Sequence, residues 1–180
     1  KVEKLPFVIP VELGLLDGKG AAIALRLVGE AQASATSRVI SVTEAEQTFT
    51  FVDIAEQPLP SLLRGFSAPV KLSFPYSRDQ LMFLMQHDSD GFNRWDAGQQ
   101  LALELLVAAA DGEHEGRSSG LDSGFSDAWG RVLADESLDG SLRAQALLLP
   151  AERVIAQEMS VIRPDAIHSA REAMVRGLAE

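Results

Sequence analysis

Near Pro75 the spacing of apolar side chains changes from every second residue to every third or fourth, and no single regular element accommodates both periods. Before that point Phe7, Ile9, Val11 and Leu13 alternate with Val8, Pro10 and Glu12. Ile23, Leu25 and Leu27 make a second alternating face, and Arg38 to Val42 is a β-branched run. Phe49 and Phe51 alternate with Thr48 and Thr50, as Val70, Leu72 and Phe74 do with Lys71 and Ser73. Five short strands separated by turns predict an all-β sandwich over residues 1–75. Pro10 has no N–H to give to a ladder, so the first strand is expected at an edge or bulged there. Asp17-Gly18 marks a turn. An immunoglobulin-like sandwich has about seven strands. The domain is therefore expected to be incomplete at its start, in keeping with the missing initiator Met.

Residues 76–180 read as helices. Ser77 and Gln80 have capping-box spacing ahead of Leu81, Leu84 and Met85. A second helix is expected from about Gly91 to Ala110, carrying Phe92, Trp95, Leu101, Leu105 and Leu106. Residues 111–120 are polar and glycine-rich, which predicts a flexible loop. Phe125, Ala128, Trp129, Val132 and Leu133 then keep the spacing of an amphipathic helix, with Ser123 as its expected cap. Leu142, Ala146 and Leu149 mark another helix, Val154, Ile155 and Met159 a short one, and Ile167, Ala170, Met174 and Leu178 the last. Pro150 and Pro164 are expected in first helical turns. Short helices with tight connections fit either hairpins stacked as a superhelical repeat or an ordinary bundle. The fold class is thus α+β as two separate domains, 1–75 and 76–180.

Charge divides at the same place. Residues 1–75 hold seven basic and eight acidic side chains, whereas residues 76–180 hold nine and eighteen. A net charge of −10 opposes nucleic acid or an anionic membrane as partner. No apolar run approaches a membrane span and no signal-peptide pattern opens the chain, so a cytoplasmic location is expected. The absence of Cys excludes disulfides, thiolate metal sites and cysteine nucleophiles within these residues.

The remaining chemistry is sparse. His114-Glu115 resembles the opening of H-E-x-x-H, but Ser118 stands where the second His is required. His168 and Glu172 are spaced i, i+4, which suits a surface pair. His87 closes a helix, where the macrodipole alone accounts for it. Gly18-Lys19-Gly20 is a turn rather than a phosphate loop, and Ser123 lacks a G-x-S-x-G setting. The densest cluster is His87-Asp88-Ser89-Asp90-Gly91-Phe92-Asn93-Arg94-Trp95-Asp96, read as a structural joint. In it an Asp or Ser caps the second helix, Phe92 and Trp95 anchor it, and Arg94 and Asp96 pair or hold a neighbouring segment. No catalytic, cofactor-binding or metal-binding residue is assigned.

Three stretches carry a family resemblance: Leu13-Gly14-Leu15-Leu16-Asp17; Leu62-Leu63-Arg64-Gly65-Phe66-Ser67-Ala68-Pro69-Val70-Lys71-Leu72; and His87 to Gln99, with its Asn-Arg-Trp-Asp core. They resemble the bacterial aminopeptidase N family, zinc-dependent alanyl aminopeptidases of the gluzincin class. The resemblance implies the later part of that family's small immunoglobulin-like domain, and after it the start of its large helical domain. The family's H-E-x-x-H and G-x-M-E-N motifs are absent, so none of its catalytic or zinc-binding residues is carried over. The role so implied is that of a non-catalytic scaffold and chamber wall. Its implied partners are the catalytic domain of the same chain and a peptide substrate, and zinc is held elsewhere in the parent enzyme. An exposed strand edge is also expected to draw a second copy onto the β part. The alternative is a stand-alone immunoglobulin-like and helical interaction module.

Overall fold

The computed structural model describes residues 6–33, 35–114 and 121–179, with the backbone alone at 113 and 114. They divide into two compact units, one of Lys1–Tyr76 with His87–Asn93 and one of Ser77–Gln86 with Arg94–Glu180.

The first unit is built on an antiparallel sheet of order β2-β1-β3, with β1 at Ile9–Leu16, β2 at Ser37–Val42 and β3 at Leu59–Leu62. Ile9 lies opposite Val42 and Val11 opposite Ile40, while Leu13 faces Leu62 and Leu16 faces Leu59. Leu13, Leu15 and Leu25 form the core, packed by Ile23, Ile40, Phe51, Ile54 and Leu62.

Among the described residues three strands stand where five were expected. The Ile23–Leu27 and Phe49–Phe51 stretches contribute only single bridges, Leu25 to Ala35 and Leu27 to Phe51. Val70 to Phe74 forms no strand, because Pro69 and Pro75 bracket it and the backbone folds on itself, Val70 N–H to Ala68 O and Tyr76 N–H to Phe74 O. Its alternation instead serves a ring contact, Phe74 to Tyr76 at 4.4 Å between centroids. Phe7 precedes β1 and is 84% exposed, contrary to its expected place in the strand. β3 carries no clear strand pattern in the sequence because Pro60 sits within it, where an edge strand tolerates proline.

Pro10 lies in the central strand, not an edge one, yet it breaks no ladder. Glu12 N–H points away from β2 and donates to Ser67 Oγ at 2.8 Å. Two residues earlier, the same side of β1 is beyond the reach of β3, which pairs only from Leu13 onward. The Asp17 turn forms as expected: Asp17 Oδ1 accepts from Lys19 N and Ala21 N, both at 2.8 Å, which holds its carboxyl below the usual range.

Among the described residues the second unit draws on the helices α1 Arg78–His87, α2 Gly91–His114, α3 Ser123–Ala134, α4 Gly140–Ala146, α5 Glu152–Glu158 and α6 Pro164–Leu178. The capping box at α1 is closed in both directions, Ser77 N to Gln80 Oε1 at 2.9 Å and Gln80 N to Ser77 Oγ at 3.2 Å. Along α2, Ala97, Leu101, Ala102, Leu106 and Ala110 make one buried stripe whose small side chains permit close packing. Phe125, Ala128 and Val132 supply the buried face of α3, and Ile167, Ala170 and Met174 that of α6. Helix α3 packs with α4, and α5 with α6.

Helix α2 corrects the predicted 111–120 loop, continuing through Asp111, Gly112 and residues 113 and 114. Asp111 is tied by Arg163 Nη1 at 2.9 Å, a contact from 52 residues away that local composition does not encode. Residues 115–120 lie outside the described residues. The cap of α3 is Asp122 rather than Ser123, accepting from Phe125 N at 2.9 Å. Pro164 opens α6 as expected, whereas Pro150 precedes the Ala151 cap of α5. Replacing Asp122 by Ala should cost about 1 kcal/mol, the usual loss of such a cap. Denaturant unfolding measures it, and an unchanged midpoint would refute the assignment.

Candidate functional site

The stretches that carried the resemblance supply a buried polar cluster in the first unit. Arg64 lies in the short 3-10 turn Arg64–Phe66 just after β3, and its side chain is 6% exposed. Its Nε donates to Ser61 Oγ at 2.8 Å and its Nη2 to Asp88 Oδ1 at 3.2 Å. The Asp88 side chain is 0% exposed. Asn93 Nδ2 donates to the same Ser61 hydroxyl at 2.7 Å. Asp88 Oδ1 also accepts from Asp90 N at 2.9 Å, and Asp90 accepts from Asn93 N through Oδ1 and from Gly65 N through Oδ2. Of the three cap candidates for α2, Asp90 is therefore the one that serves. The guanidinium lies on Gly14: a Cβ there would fall 2.3 Å from Arg64 Cζ, so only glycine fits.

The cluster is closed: the Ser61 hydroxyl is taken up by Arg64 and Asn93, the guanidinium is not a base, and Asp88, Ser61, Arg64 and Asn93 are buried. It is the structural joint that the sequence suggested, with Asp88 in a larger part than capping. Asp88 Oδ2 is buried and meets no donor among the described residues.

In the second unit, Arg94 and Asp96 do not pair. Arg94 Nε donates to Met85 O at 3.1 Å and Nη1 meets Asp135 Oδ2 at 2.9 Å, which ties the end of α1, the start of α2 and the C-cap of α3. Hydrogen bonds from Ser137 and from Arg94 hold the Asp135 carboxyl down at about 2. Asp96 accepts from Gln100 Nε2 at 2.7 Å, and desolvation pushes its carboxyl above the usual range. Trp95 is half-buried.

Among the described residues no histidine joins a ligand set. His168 Nδ1 meets Glu152 Oε1 of α5 at 2.7 Å rather than its i+4 neighbour Glu172. Helix-to-helix packing brought Glu152 within reach, which sequence spacing does not register. His87 ends α1, where a Cβ on Gly20 would lie 2.6 Å from its own Cβ. His114 ends α2, and Glu115 and Ser118 fall outside the described residues. Among the described residues no three His, Cys, Asp or Glu side chains gather as a metal would require, so these residues do not fit the zinc that the resemblance implies for the parent.

A β unit and, after it, short paired helices define the class: an immunoglobulin-like domain joined in sequence to helical repeats. Two family models match, both described as domains of unknown function: DUF3458, with an Ig-like fold, over residues 1–75, and DUF3458_C, with ARM repeats, over residues 78–180. The chain belongs to this family. The helical part is thus of repeat type rather than an ordinary bundle. Aminopeptidase N of Escherichia coli strain K12 is 40% identical over 179 residues, 99% of this chain and 20% of that protein. Aminopeptidase N of Haemophilus influenzae is 34% identical over 180 residues, 100% of this chain and 20% of that protein. The crystal structure of Legionella pneumophila aminopeptidase A in complex with aspartic acid matches with a TM-score of 0.72 at 29% identity, covering 96% of this chain and 18% of that one. The aminopeptidase N resemblance is borne out, and the chain spans about a fifth of the length of the relatives it matches.

Gly14→Ala should destabilise the first unit by about 1–3 kcal/mol through overpacking on the guanidinium, read by denaturant unfolding; a neutral change would contradict the contact. His168 should titrate above its ordinary 6.5, because Glu152 first, and Glu172 weakly, favour the imidazolium against Arg171. Its folded value is raised, so its stabilising contribution is full below the unfolded value and fades as pH rises through the folded one. NMR titration tests this: Glu152→Gln should lower the midpoint, and a midpoint unmoved by that change would count against the pair.

Proposed function

We propose that this chain is the immunoglobulin-like and helical portion of a zinc-dependent aminopeptidase that removes N-terminal residues from peptides, and that it serves as scaffold and chamber wall. Residues 1–75 are the β domain, and residues 76–180 begin a larger helical domain. The observation that carries the reading is near-complete coverage of this chain by aminopeptidase N relatives, at 40% identity, over a fifth of their length. The zinc that would support peptide hydrolysis in such an enzyme, and the residues that would hold it, belong to the catalytic domain, the partner of this portion. The buried cluster around Arg64 suits a supporting role, since its polar side chains are buried and bonded to one another. A cytoplasmic setting suits this reading, and among the described residues no helix is long and apolar enough to cross a membrane.

The purified 180-residue chain should hydrolyse no aminoacyl-arylamide and retain no stoichiometric zinc after dialysis. One tightly held zinc per chain, or turnover above background, would overturn the assignment of catalysis to residues elsewhere. An H-E-x-x-H motif encoded in the same reading frame would establish the parent activity, and its absence would refute it.

A further inference from the structure

Among the described residues three non-glycine positions have positive φ, Asp53, Leu63 and Phe66, and two of these fall within one four-residue stretch. Leu63 stands at φ 56 and ψ 39, Gly65 at φ 58 and Phe66 at φ 53. Bulky side chains rarely adopt this region, and they persist there only where the surroundings hold them. The holding groups are the Arg64–Asp88 pair, the Gly65 N–H to Asp90 Oδ2 bond at 3.0 Å, and the Phe66 ring set 5.3 Å from that of Phe92.

We propose that Leu63–Phe66 is a strained latch, closed on the Asp88–Asn93 connection, that opens as one unit ahead of the sheet behind it. Two features of the closed state favour opening. Release returns Leu63 and Phe66 to ordinary backbone regions. It also returns a buried guanidinium and carboxylate to water, and the carboxylate oxygen Oδ2 has no donor among the described residues while the latch is shut. Holding it closed are a small set of hydrogen bonds, the burial of Leu63 at 5% exposure and the ring contact, in which Phe66 remains 51% exposed. The strand behind it is held by more: Leu13, Leu15 and Leu16 of β1 are buried and the ladder is paired on both sides. Local opening takes place where apolar burial is less and backbone pairing is sparse. The latch thus frees the connection between α1 and α2, together with the Phe66 and Phe92 rings, while the sheet stays formed.

Residue-resolved hydrogen exchange on the whole chain tests the latch. The Gly65, Asp90 and Asn93 amides should exchange together, at least about tenfold faster than the β1–β2 ladder amides. Phe66→Ala and Phe66→Gly both remove the ring and differ only in a Cβ at positive φ. The Gly variant should therefore protect the three amides about fivefold better than the Ala variant. Asp88→Asn should accelerate exchange at Gly65 and Asn93 with the ladder unchanged. Should that variant not fold, the surface pair at Phe66 decides. Exchange of the three amides at the ladder's own rate, or equal protection in the Ala and Gly variants, would overturn the proposal.

Discussion

The Arg64 guanidinium is enclosed, and a buried cation must be met by acceptors and a counter-charge or be released to water. That requirement accounts for much of the first unit. It needs Asp88 as counter-ion and Ser61 as acceptor, and it needs Gly14 because no other residue leaves room for the group. Gly14 and Ser61 face one another across the β1–β3 pair. A slip of one residue would place a leucine beneath the charge and turn the core face outward, so the cation also fixes strand register. A buried ion pair is weak support for net stability, but removing one partner leaves the other uncompensated, at a cost of about 3–5 kcal/mol. The cluster specifies the arrangement more than it strengthens it.

The helical unit relies on other means. Aspartates cap α3 and α4, and a capping carboxylate at a helix start is favoured by the dipole as well as by the hydrogen bond. Part of the acidic excess of residues 76–180 is therefore structural rather than a surface offered to a cationic ligand. Arg94 gathers three helix ends, and its partner Asp135 is kept ionised far into the acid range. The apolar stripe of α2, rich in alanine, admits close neighbours without large side chains.

These features bear on function by their chemistry. The groups of the buried cluster bond chiefly to one another and are closed to solvent, whereas a working acid or base must reach its substrate. A scaffold within a larger peptidase is consistent with that, and the aminopeptidase relatives extend well beyond the length matched here.

The sequence by itself determined the change of class near Pro75, the capping box of α1, the Asp17 turn, the apolar faces of α3 and α6, and the kinship to aminopeptidase N. Each depends on residues close in sequence or on a local pattern. Only the tertiary structure decided the rest. Arg64 met Asp88 across 24 residues, Asp111 in the longer α2 met Arg163 across 52, and His168 chose Glu152 over the nearer-spaced Glu172. The alternation at Val70 to Phe74 was real, but the flanking prolines and local turns kept its backbone out of a ladder. A β pattern states which face is apolar, and the partner that makes it a strand comes from elsewhere in the chain.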